Sequence, residues 1–101
     1  MLGMFKLIAL VNLKDGAPVD EILERGRAVL AREPAISRFE LIKDAGEEEG
    51  HFTVPHATFA LHCEFESREH WRRYVDGPIH KEMSGLIADW RVGATVLQGY
   101  C

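Results

Sequence analysis

The order in which strand-like and helix-like segments follow one another constrains this chain more than any single motif. Met4 to Leu13 carries apolar side chains on both faces of an extended strand. The period then changes. Beyond Lys14-Asp15-Gly16, a turn, and Pro18, suited to a first helical position, Val19, Ile22, Leu23, Gly26, Val29 and Leu30 recur at helical spacing. Asp20 and Glu21 fall in the first turn and Arg32 in the last, and Pro34 is expected to stop the helix. Ile36 to Lys43 reads as a second strand and His56 to Glu66 as a third, in which Ala57, Phe59, Leu61, Cys63 and Phe65 share a face. Ser67 is an expected N-cap for a helical region with Trp71, Tyr74 and Val75 at i, i+3, i+4. Gly77-Pro78 breaks it, and a new helix from Pro78 turns Ile79, Met83, Leu86, Ile87 and Trp90 inward. Arg91 to Tyr100 closes the chain as a strand. The order β-α-β-β-α-β predicts an α+β, ferredoxin-like fold: a four-stranded antiparallel sheet with the first and third strands at its centre.

Two helical regions cover only one face of such a sheet. The other face would present Ile8, Leu10, Ile36, Ile42, Ala60 and Leu97, interspersed with Asn12, Arg38 and His62. Monomers seldom leave so large an apolar patch in water, so a homodimer through the open sheet face is expected.

Composition narrows the function. At 101 residues the chain is expected to be a single domain over residues 1–101. The net charge of -4, with Arg72 and Arg73 the only adjacent bases, argues against nucleic acid as a partner. The run Leu7 to Val11 is too short to span a membrane and lacks the flanks of a signal peptide, so a cytoplasmic location is expected, with Cys63 and Cys101 as free thiols. Glu47-Glu48-Glu49 lies in the loop over residues 44–55 and reads as solvated. Five histidines raise the question of a metal, but no His-x-x-x-His or Cys-x-x-Cys spacing occurs. His62 and Cys63 are neighbours on a strand and face opposite ways, and only His51 and His56, flanking the loop, are placed to approach each other. Neither metal nor cofactor is expected.

Leu13-Lys14-Asp15-Gly16 after the first strand, Phe65-Glu66-Ser67 at the end of the third, and above all Tyr74-Val75-Asp76-Gly77-Pro78-Ile79-His80 resemble the stress-responsive A/B barrel (Dabb) family, over nearly the whole chain. The resemblance implies a dimeric α/β barrel. It implies less about activity, since one fold hosts many functions. In a plant polyketide cyclase of this fold, the tyrosine and histidine of the last stretch act on a linear poly-β-keto substrate without metal or organic cofactor. This chain departs from the pattern at two positions. Leu7 stands where many members have a first-strand histidine, and Phe59 where the cyclase has a further histidine.

Tyr74 and His80 are therefore the candidate catalytic pair. On one continuous helix they would point about 120° apart, but the Gly77-Pro78 break lets both face one cavity beneath the helices. A neutral imidazole there can take a proton from a carbon between two carbonyls, and a phenol can hydrogen-bond the developing enolate. Each residue also has a purely structural reading, Tyr74 as core beside Trp71 and His80 as a hydrogen-bond partner of a loop. Leu7, Phe59, Trp71 and Met83 are expected to line the pocket and make it apolar. Three functions follow, in this order: binding of a small hydrophobic or aromatic molecule; a cofactor-free cyclase or lyase working through His80 and Tyr74; and, by analogy of fold, a cofactor-independent monooxygenase.

Overall fold

The computed structural model of the chain describes residues 3–47 and 55–101. Strand β1 (Phe5–Leu13) leads to helix α1 (Val19–Leu30), strands β2 (Arg38–Lys43) and β3 (Phe59–Phe65), helices α2 (Arg68–Asp76) and α3 (Pro78–Ile87), and strand β4 (Arg91–Tyr100). The strands form one antiparallel sheet in the order β2-β3-β1-β4, which is the expected ferredoxin-like arrangement with β1 and β3 inside.

Alternation along the strands assigns the faces. Phe5, Leu7, Val11 and Leu13 of β1, Leu41 of β2, and Phe59, Leu61, Cys63 and Phe65 of β3 are buried on the helix side. Ile22, Leu23 and Leu30 of α1 and Tyr74 of α2 meet them there. Gly26 allows the close approach of α1. A Cβ on it would stand 3.1 Å from Leu41 Cδ1 and 3.3 Å from Met83 Cε, so the ends of those side chains would have to shift. The helix layer runs out at β4. α3 packs chiefly on α1 and α2, its Ile79, Met83 and Ile87 reach the core only in part, and none of its residues is fully buried.

Several boundaries differ from the sequence expectation. Pro18 is the N-cap of α1 rather than its first residue, and α1 ends at Leu30, so Arg27 and not Arg32 is the base in its last turn. Pro34 lies beyond an end already reached. Arg32 instead reaches across to pair with Glu82 on α3. β2 starts at Arg38, and Ile36, expected on the open face, packs against the core. β3 starts at Phe59, three residues later than expected, because residues 55–58 return from the loop and only Thr58 joins the sheet edge through backbone hydrogen bonds to Val11 and Asp44. Glu48, Glu49 and His51 lie outside the described residues. Ser67 caps α2, its Oγ accepting the His70 backbone N–H at 3.2 Å.

On the far face of the sheet Leu10, Ile42 and Leu97 are exposed, Leu97 by 65%. β1 is therefore buried on one side only within a single chain, not on both. Lys6 and Glu64 pair across this face at 3.2 Å, and Arg38 pairs with Glu40 at 2.8 Å. Between them His62, opposite Ile8 on β1 and Glu40 on β2, has an enclosed Nε2 with no hydrogen-bond partner. Among the described residues no helix is long and apolar enough to cross a membrane.

Candidate functional site

Because α3 rests on its neighbouring helices, a gap remains between it and the sheet. This cleft has a volume of about 390 Å³. Leu7, Val11 and Phe59 form its floor, Met83 and Ile87 its roof, and Ala94 and Val96 of β4 its outer side. Val96 is on the helix side of β4 and yet 50% exposed, so the cleft opens along that strand.

Tyr74 and His80 meet at the cleft. Their rings pack edge to face, with centroids 5.2 Å apart and planes at 77°. The break between α2 and α3 makes this possible, and it requires glycine. A Cβ on Gly77 would lie 2.8 Å from the Arg73 carbonyl oxygen, closer than such atoms approach. Pro78 then opens α3 at a position where no backbone N–H is needed. The second face of the Tyr74 ring rests on Phe65 at 5.8 Å.

Tyr74 is only 1% exposed, and its hydroxyl has no hydrogen-bond partner among the described residues. Burial raises its pKa well above the ordinary phenol value, and the Glu33 carboxylate adds to the effect. The group therefore stays protonated through the physiological range. Cys63, beneath it, is pushed up to about 12 by burial alone and is chemically inert as a nucleophile.

Leu7, Phe59 and Met83 lie where the sequence reading placed them, on the cleft wall. Trp71 does not. It stands at the neighbouring end of the sheet, 5.1 Å from the Phe5 ring, under the Arg72 guanidinium at 4.9 Å, with Nε1 donating to Gln98 Oε1 at 2.8 Å. Helical phase put Trp71 with Tyr74, but α2 tilts it over the β1–β4 edge. Ser84, Arg91 and Gln98 also line the cleft and were not foreseen. Alternation along β4 would have revealed Gln98; nothing in the sequence marks Arg91. Among the described residues no three His, Cys, Asp or Glu side chains converge as metal ligands would.

With this geometry in hand, comparison with known proteins is informative. The sequence profile of the Stress responsive A/B Barrel Domain (Dabb) family matches residues 5–97. A search of curated protein sequences returned no match. Among solved structures, a dimeric ferredoxin-like protein of unknown function from Thermobifida fusca superposes with a TM-score of 0.81 at 21% identity, covering 98% of this chain and 92% of that one. A Dabb family protein with a ferredoxin-like fold from Mesorhizobium loti gives 0.75 at 16% identity, over 95% and 94%. An Arabidopsis thaliana protein gives 0.71 at 26% identity, over 93% and 91%.

The thiols provide a direct check on the packing beneath the cleft. Iodoacetamide at pH 8 should alkylate exposed Cys101 in the native protein and spare Cys63, whose thiolate becomes abundant only near pH 12; both should react in urea. Mass spectrometry showing two adducts on the native protein would contradict the burial of Cys63 under Tyr74.

Proposed function

The chain belongs to the Stress responsive A/B Barrel Domain (Dabb) family, and on that footing we propose that it is a cytoplasmic homodimer that binds a small hydrophobic or aromatic molecule in the cleft between α3 and the sheet. The observation that carries the reading is the cleft itself: about 390 Å³, walled by aliphatic and aromatic side chains, with Tyr74 and His80 in its lining. That size and lining suit a small-molecule site, in which a few polar groups orient an apolar ligand. The dimer is supported by the uncovered aliphatics Leu10, Ile42 and Leu97, which a second sheet would cover.

The contact between Tyr74 and His80 favours a second reading, a cofactor-free cyclase or lyase acting on a β-keto substrate. The His80 imidazole would take a proton from the carbon between two carbonyls, the electron pair moving onto a carbonyl oxygen as an enolate. Tyr74, held in its protonated form by burial, would hydrogen-bond that oxygen. Attack of the enolate carbon on a distant carbonyl forms the new C–C bond, and the imidazolium returns its proton to the resulting alkoxide. Leu7 and Phe59 leave the pair in apolar surroundings, which is why binding ranks ahead of catalysis.

Three outcomes test these readings. Leu97→Asp should convert a dimer of about twice 11.4 kDa into a monomer in light scattering at micromolar concentration, since it places a charge in the proposed interface; a wild-type monomer would end the dimer proposal. 1-Octanol should shift the amide resonances of Leu7, Phe59 and Met83, and Ala94→Phe, which fills the cleft, should suppress those shifts. Shifts centred on Leu10, Ile42 and Leu97 would place binding on the other face. For the enzyme, wild-type protein should accelerate exchange of the C2 protons of ethyl 3-oxooctanoate in D2O by about a hundredfold over a Tyr74→Phe, His80→Ala double variant. Equal rates would remove the pair from any mechanism.

A further inference from the structure

An extra residue near the start of β4 provides the cleft with its one fixed charge. From Phe5 opposite Tyr100 to Asn12 opposite Gly93, β1 and β4 pair without interruption; the register then shifts, and Leu13 stands opposite Arg91. Val92 is left as the additional residue of a β-bulge. Plain alternation puts Ala94, Val96 and Gln98 on the helix side and would send Arg91 to the opposite face. The bulge cancels that parity. Arg91 shares the side of Leu13 and lines the cleft.

Among the described side chains lining the cleft, Arg91 alone carries a permanent charge, and no carboxylate accompanies it. Its guanidinium makes no ion pair or hydrogen bond with any described residue. Asp89, two positions earlier, lines a different groove together with Arg25 and Arg32. The cleft is also polar at two separated places. His80 sits in the first turn of α3, and Ile87 at its end lies about 10 Å further along the axis, just short of Arg91.

We propose that the ligand is an elongated apolar carboxylic acid, its carboxylate held by Arg91 and its chain running under Met83 toward Tyr74 and His80. This rests on reading the cleft as the binding site and names what the site selects. A guanidinium presents paired donors that match a carboxylate, and a lone cation at an otherwise uncharged, apolar cleft favours one negative charge on a hydrophobic body. The protein's net charge of -4 provides no general attraction for anions, so selectivity must come from this side chain.

Octanoate and 1-octanol share a chain and differ in the head group, so titrating each into the wild-type protein, with amide resonances as readout, isolates the role of Arg91. Octanoate should bind about tenfold more tightly than 1-octanol. Arg91→Gln should weaken octanoate about tenfold more than 1-octanol and so bring the two affinities together, and Arg91→Lys should keep most of the preference. Equal affinities in the wild-type protein, or a preference that survives Arg91→Gln, would overturn the carboxylate assignment and leave the cleft as a neutral-ligand site. If neither probe binds, the cleft reading fails and the assignment fails with it.

Discussion

The sheet β2-β3-β1-β4 offers two faces, and the helices of one chain are enough to cover most of one of them. α1 seats on the sheet, its close approach permitted by Gly26. α2 brings one large side chain, Tyr74, fully into the core. α3 arrives last and has only the other two helices to lean on. This shortage of helical cover accounts for both surfaces of interest. Where α3 covers the helix side only loosely, there is a cleft. On the far side Leu10, Ile42 and Leu97 are about half exposed to water, and each would contribute roughly 1 kcal/mol if buried by a second sheet. The features proposed to bind a ligand and a partner are thus two consequences of one imbalance.

Within the cleft, the chemistry is set by dryness more than by the identity of any one polar group. A tyrosine hydroxyl in water is an ordinary donor and acceptor. Buried against Phe65 and His80, with the Glu33 carboxylate also opposing ionisation, it keeps its proton well above the ordinary phenol range. Cys63 illustrates the same effect without function, since its thiol is silenced by the packing that positions Tyr74. The Gly77-Pro78 break makes the arrangement possible by turning the chain between two short helices, so that residues six apart in sequence meet face to edge.

The fold was legible because its signals are local and redundant. The β-α-β-β-α-β order put β1 and β3 at the centre of the sheet, helical spacing found the inward residues of α1, and Ser67 announced the start of α2 through a hydrogen bond within one turn. Errors fell where a boundary depends on distant contacts. The start of β3 is set by where β2 can pair, and Ile36 turns toward the core because the strand it seemed to begin starts two residues later. Ile79, Met83, Leu86, Ile87 and Trp90 were expected to be buried. All are only half-buried: Met83, Leu86 and Ile87 look into the cleft, and Trp90 lies beyond the end of α3.

The candidate site divides along the same line. The amino-acid sequence by itself determined the order of elements, the break that frees Tyr74 from His80, and the apolar walls at Leu7, Phe59 and Met83, because each depends on spacing along a single strand or helix. Tertiary structure alone decided that Trp71 leaves the cleft for Phe5 and Gln98, that α3 stands away from the sheet, and that Arg91 enters. The last is the clearest case. A strand's alternation can be read from its own residues, but the register shift that reverses it opposite Asn12 and Leu13 arises between two strands almost eighty residues apart, and no one-dimensional pattern encodes it.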